Sequence, residues 1–208
     1  SLGTTYKGKH TGTFGEYGIY SFNGNKIITT SGGGMLVSDN EERIAKVRFW
    51  STQSREEAIH YQHNELGYNY RMSNILAAIG RGQLKVLDQR ITKKKYIYEF
   101  YKRELGRFES IQFMPINDWN KPNYWLSCIK LNGKVKPLDI IEALEKENIE
   151  SRPIWKPMHM QPFFKEYDYI GEGVSEKIFK NGVCLPSDTK MTDEDLNRIC
   201  DIVRGLWK

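Results

Sequence analysis

Ser21-Phe22-Asn23-Gly24-Asn25-Lys26-Ile27-Ile28-Thr29-Thr30-Ser31-Gly32-Gly33-Gly34-Met35 is the stretch whose reading decides the rest of the chain. A short aromatic run reads as a strand end, and a Thr/Ser/Gly-rich turn leads into Met35-Leu36-Val37. Lys26 lies between them, held close to backbone. A lysine works as a nucleophile only when its surroundings lower its pKa from about 10.4, through enclosure or a neighbouring cation. With Ser21 five residues before it and Asn23 three before it, the loop has the parts to hold a phosphorylated carbonyl cofactor. The amine would bind the carbonyl, and a hydroxyl with backbone N–H groups would take the phosphate. The alternative is a solvated surface lysine with Ser21 satisfied by backbone. Gly32-Gly33-Gly34 is neither GxGxxG nor a P-loop, since no Lys-Ser/Thr follows, and its simplest role is a tight turn.

Working outward, 208 residues can bury a sizeable core, in one large domain or two small ones. With 39% hydrophobic and 27% charged residues the composition is that of an ordinary soluble protein. The net charge of +5 comes from 31 basic against 26 acidic residues, interspersed except at Lys93-Lys94-Lys95, which reads as a solvated helix face. Nothing in that balance calls for a nucleic-acid partner. Cys128, Cys184 and Cys200 are odd in number and lack CxxC spacing, so they read as buried thiols of a reducing compartment. His60 and His63 have no carboxylate or cysteine set around them, so no metal site is expected. No apolar run is long enough to span a bilayer and no signal pattern opens the chain, which makes no membrane and a cytoplasmic location the default expectations. The opening Ser1-Leu2-Gly3-Thr4-Thr5-Tyr6 reads as though cut from a longer sequence.

Residues 1–38 alternate strand-like pieces with glycine turns. A helix is expected from Asp39-Asn40-Glu41 to near Thr52, capped by Asp39 or Asn40. Residues 53–71 carry no clean period, and their aromatics, Tyr61, Tyr68 and Tyr70, argue against disorder. A long helix from Ser73 or Asn74 to about Leu105 follows, with Ile75, Ile79, Val86, Leu87 and Ile91 at helical spacing; Gly80 and Gly82 inside it suggest close approach of another backbone. After Gly106 come a strand at 125–131, a helix at 137–148, a strand at 149–152, a helix at 174–180, a strand at 183–185 and a last helix to about Trp207. Thr192 and Asp195 resemble a capping box opening that last helix. The arrangement reads as βαβ-type, in two domains, 1–106 and 107–208.

The run Gly3-x-x-Tyr6-Lys7-Gly8, Gly12-x-Phe14-Gly15, Ser21-Phe22-x-x-x-Lys26-x-x-Thr29-Thr30-x-x-Gly33-Gly34-Met35 closely resembles the DegT/DnrJ/EryC1/StrS family of pyridoxal-phosphate-dependent sugar aminotransferases. Gly67-Tyr68-Asn69-Tyr70-Arg71-Met72-Ser73-Asn74, Arg152-Pro153, Pro157-Met158-His159-x-Gln161-Pro162 and Cys184-Leu185-Pro186-Ser187 extend the resemblance over essentially the whole chain. It implies an α/β fold: the C-terminal part of a fold-type I aminotransferase, with the end of the large mixed-sheet domain through the long helix (1–106) and a small α/β domain (107–208). It makes Lys26 the residue that binds pyridoxal phosphate (PLP, or PMP in the amino form), and Ser21 and Asn23 its neighbours at the phosphate. Asn69 would reach a phosphate across a homodimer interface. Two departures stand out: Thr29-Thr30-Ser31-Gly32-Gly33-Gly34 replaces the usual Thr-Thr-Gly-Glu-Gly-Gly, and Ser1 begins just after the place where the family carries the aspartate that pairs with the pyridinium nitrogen.

Phe49-Trp50-Ser51-Thr52-Gln53-Ser54-Arg55-Glu56, His60-Tyr61-x-His63 and Asn123-Tyr124-Trp125-Leu126-Ser127 look most like enzymes that aminate C4 of a UDP-linked 4-keto-6-deoxy-N-acetylglucosamine. Glutamate would be the donor, and Lys26 would shuttle the proton. Tyr70, Arg71, Arg152, Trp155, Lys156 and His159 are the candidate substrate residues: Arg and Lys suit a diphosphate and Trp offers a stacking face, with core packing the alternative for Trp155. The competing reading is a catalytically incompetent truncated remnant acting as a binding or dimerisation module.

Overall fold

A computed structural model describes residues 1–207. By packing, the chain divides into two units: Ser1–Ile91 with Asn117–Asn123, and Thr92–Ile116 with the chain from Tyr124 onward.

In the first unit, β1 (Thr5–Tyr6) pairs antiparallel with β2 (Lys9–His10), and β3 (Gly18–Ser21) with β4 (Gly34–Val37). Helix α1 (Glu41–Ser51) starts where the sequence indicates: the Asn40 side chain accepts from the Arg43 N–H at 2.9 Å, and Glu41 and Glu42 fill the first turn. The long helix expected to 105 is two helices, α2 (Asn74–Leu84) and α3 (Leu87–Leu105). At the break the Lys85 and Val86 N–H groups bond three residues back, to Gly82 and Gln83; the tighter turn falls beside Gly82, whose helix propensity is poor. Gly80 meets the Thr30 side chain and not another backbone: a Cβ there would lie 2.9 Å from Thr30 Cγ2. Gly82 faces open space, so the expectation of close approach fails for it. Neither α1 nor α2 contributes a buried residue, and Ile75 and Ile79 are exposed.

In the second unit, β5 (Ile111–Phe113), β7 (Ser127–Leu131), β8 (Arg152–Pro153) and β9 (Gly182–Leu185) form a sheet in the order β5-β7-β9-β8. Every pair in it is antiparallel, which corrects the βαβ reading: no parallel crossover is built. Between β5 and β7, the short β6 (Asn120–Lys121) returns to pair with β1 in the first unit. β5 and β6, three and two residues long, are too short to carry an alternation and were not expected. Helices α4 (Pro137–Glu145), α5 (Val174–Asn181) and α6 (Asp193–Gly205) complete the unit. Ile129 and Leu131 of β7 and Val183 and Leu185 of β9 pack with Ile97, Tyr101 and Leu105 of α3, Ile140 and Leu144 of α4, and Leu196, Ile199 and Val203 of α6. Burying each such aliphatic side chain is worth about 1.5–3 kcal/mol. This core explains where the packing divides: from Thr92 onward α3 points apolar residues into it.

Lys94, expected on a solvated face, is buried. Its ammonium donates to the Trp125 carbonyl at 3.0 Å and to the Ser187 carbonyl. A buried ammonium is tolerated only when its donors are taken up, and here they clamp the chain entering β7 to the chain leaving β9. Among the described residues no helix is long and apolar enough to cross a membrane.

Candidate active site

β3 delivers Ser21 to the mouth of a loop that β4 closes. The Phe22 N–H donates to the Gly33 carbonyl at 3.0 Å, and the Phe22 carbonyl takes the Thr30 N–H at 3.0 Å and the Thr29 hydroxyl at 3.1 Å. Ile28 and Thr30 are buried and anchor the far side of the loop. Inside this frame Ser21, Asn23 and Lys26 share one turn: the Asn23 N–H donates to Ser21 Oγ at 3.4 Å and the Lys26 N–H to the Asn23 carbonyl at 3.0 Å. Lys26 is half-buried, while Ser21 and Asn23 are exposed. A primary amine held beside an accessible hydroxyl and backbone N–H groups is the donor set that an aldehyde bearing a phosphate requires, so the residues present fit pyridoxal phosphate.

Residues 53–71 are ordered. Thr52 and Asn69 form an antiparallel bridge, the Tyr68 and Tyr70 N–H groups donate to the Trp50 and Ser51 carbonyls at 2.7 and 3.0 Å, and buried Ser54 donates its hydroxyl to the Leu66 carbonyl at 3.1 Å. Gly67 is required here, because a Cβ would overlap the Gln53–Ser54 backbone. His63 Nδ1 lies 2.8 Å from the Gln53 carbonyl, so this ring ties the loop together. The Tyr68 and Tyr70 rings stack at 4.9 Å on one side of the extended segment, which turns Asn69 to the other. Asn69, Tyr70 and Arg71 are exposed and lie on a segment separate from the Lys26 turn. Val47, Trp50, Ser51, Glu65, Leu66, Tyr68 and Tyr70 line a concave apolar surface of about 520 Å³. The Trp50 indole donates to Glu65 Oε2 at 2.9 Å; Lys46 and then this indole hold the Glu65 carboxyl below the usual carboxylate range.

The remaining candidates lie in the second unit. Arg152 is exposed on β8, opposite Cys184 in register and paired with Glu150. Trp155 is 61% exposed, with its ring 5.9 Å from that of Trp125, so it forms an aromatic shelf and not core packing. Lys156 is exposed. His159, in a short 3-10 turn (Met158–Met160), places Nε2 2.8 Å from Glu176 Oε1 and stacks on Tyr169 at 3.6 Å. The sequence reading missed Glu176, Tyr169 and the Trp125 ring: each partner comes from a different segment, and no local spacing announces it.

A family model described as the DegT/DnrJ/EryC1/StrS aminotransferase family matches residues 1–204. EpsN of Bacillus subtilis (strain 168), whose name describes a pyridoxal phosphate-dependent aminotransferase, is 51% identical over 211 residues, covering 100% of this chain and 54% of its own length. The GDP-perosamine synthase of Escherichia coli O157:H7 is 32% identical over 207 residues, covering 100% and 56%. Helicobacter pylori PseC, a solved aminotransferase of pseudaminic acid biosynthesis, superposes with a TM-score of 0.88 at 22% identity, over 99% of this chain and 57% of its own. The chain thus spans about half the length of these relatives. With the family motif on the Lys26 loop and the match running from Ser1 almost to the end, the chain belongs to the DegT/DnrJ/EryC1/StrS aminotransferase family.

Proposed function

We propose that this chain carries the lysine side of an aminotransferase acting on a nucleotide-linked keto sugar, with amino transfer from glutamate to C4 of a UDP-linked 4-keto-6-deoxy-N-acetylhexosamine. The observation that carries the reading is the closed β3–β4 loop, which keeps the Lys26 amine half-buried beside Ser21 and Asn23. Bound pyridoxal phosphate supplies an electron sink for moving an amino group between carbons. Lys26 Nζ would hold the cofactor at its aldehyde carbon and would take and return the proton at the carbon losing or gaining nitrogen. Ser21 Oγ and the Asn23 N–H hold the phosphate. Within the second unit, Arg152 and Lys156 are the proposed ligands of the diphosphate, Trp155 the stacking face for the base and His159 a further substrate residue; Tyr70 and Arg71, in the first unit, are proposed substrate residues in their own right. The cofactor-binding part is that expected over 1–106, and the small domain that over 107–208. The exposed Asn69, beside the apolar surface around Trp50, Tyr68 and Tyr70, supports a homodimer in which Asn69 serves the partner's cofactor.

Borohydride reduction of the full-length protein with pyridoxal phosphate tests the reading. The label is expected on the peptide bearing Lys26 and is lost with Lys26→Ala; a label on another lysine, or none, overturns it. The uridine assignment rests on the likeness of residues 49–63 and 123–127 alone, and higher activity on a guanosine-linked acceptor would overturn that part without touching Lys26.

A further inference from the structure

We propose that Cys128 and Cys184 are an oxidant-sensitive pair that closes into a disulfide across the second unit's sheet. The two residues are 56 apart in sequence and directly opposite in the β7–β9 register, with their sulfurs 3.6 Å apart. Directly opposite residues on antiparallel strands have Cα atoms about 4.5–5.5 Å apart, inside the roughly 4.4–6.8 Å a disulfide spans. Side-chain rotation therefore brings the sulfurs to the bonding distance of about 2.05 Å with little call on the backbone. All three cysteines are free thiols. Cys184 is 7% exposed and Cys128 is half-buried, so a small oxidant has a way in beside Cys128 while the pair stays sheltered from larger reagents.

The thiols already interact. The hydrogen bond between the two sulfurs draws the Cys184 pKa down against the effect of burial, while that bond and burial push the Cys128 thiol up. Hydrogen peroxide is the oxidant by class. The sulfur reached first attacks a peroxide oxygen, giving a sulfenic acid and one water; the second sulfur displaces the sulfenic hydroxyl as a second water. Two thiols lose two hydrogens and two electrons, and peroxide gains both. Cys200, fully buried in α6 and off the sheet, provides a contrast inside the same unit. β8 pairs with β9 at Arg152 and Cys184, so the bridge would form one strand away from a proposed diphosphate ligand.

Stepwise peroxide treatment of the full-length protein, followed by alkylation, trypsin and mass spectrometry, tests this. Lys130, Lys180, Lys190, Arg198 and Arg204 place the three cysteines on separate peptides. The expected product is the Cys128 peptide joined to the Cys184 peptide within one chain, two hydrogens lighter than the reduced pair and reopened by dithiothreitol, while Cys200 stays alkylatable. Cys184→Ser and Cys128→Ser should each abolish the link. The proposal is overturned if Cys128 and Cys184 both remain alkylatable at doses that oxidise methionine, or if the link joins two chains. This outcome is independent of whether Lys26 binds the cofactor.

Discussion

Ser31 holds a backbone φ of +71° in the Lys26 loop, at a position where the family pattern carries glycine. A Cβ in the left-handed region costs about 1–2 kcal/mol, partly offset here by the bond from the Ser31 N–H to Thr29 Oγ1 at 2.8 Å. Glycine removes that cost but gains about 0.4–1 kcal/mol of unfolded-chain freedom. Ser31→Gly is therefore expected to stabilise the protein by about 0.5–1 kcal/mol in denaturant melts, and a destabilised variant would show that the loop is not strained there. Lys94 shows how much of a single residue was legible. As part of Lys93-Lys94-Lys95 it reads as solvated, yet 94, 97, 98, 101 and 105 follow helical spacing and form the buried stripe of α3. The periodicity is there in the sequence, but the run of three charges masks it. Lys26 itself was legible through its motif, whereas the half-burial that holds it depends on Ile28 and Thr30 being anchored, which no spacing reveals.

At the scale of elements, local chemistry was readable and pairing was not. The Thr192–Asp195 box opens α6 as expected: the Asp195 N–H donates to Thr192 Oγ1 at 3.2 Å and the Thr192 N–H to Asp195 Oδ2 at 2.8 Å. Thr192→Ala should cost about 1 kcal/mol of stability, and a neutral result would mean that α6 is held by packing alone. The Pro137 start of α4 was equally plain, with the Asp139 carboxylate accepting the Lys136 N–H at 2.7 Å. The antiparallel sheet escaped the sequence because strands of two to five residues carry too little alternation, and their register is fixed by partners tens of residues away. The same distance in sequence hid the His159–Glu176 contact and the Cys128–Cys184 pair.

Across the molecule, the described buried apolar side chains lie mostly in the second unit, and they make it sensitive to alkali. Burial pushes the Cys200 thiol up to about 12 and the Tyr98 phenol to about 12, and raises Tyr101 as well. The Tyr98 and Tyr101 hydroxyls donate to the Met114 and Pro186 carbonyls at 3.0 and 2.7 Å, bonds that need the neutral forms. All three groups keep their protons longer folded than unfolded. Their contribution is thus complete below the unfolded thiol value of ~8.5 and is lost as pH rises toward about 12. Melting temperature should therefore fall from ~pH 9 upward, Cys200 acting first and the tyrosines from ~pH 10; a flat or rising profile would refute the assignment.

The Trp125–Trp155 pair has an optical consequence. Two indoles 5.9 Å apart couple their excited states, and Trp155 is open to solvent while the Trp125 carbonyl is clamped by Lys94. One chromophore is thus free to meet a ligand while the other is fixed at its backbone. If a base stacks on Trp155 as proposed, it would quench emission and alter the near-ultraviolet dichroism of the pair, so the two indoles would report its arrival with neither an added dye nor turnover.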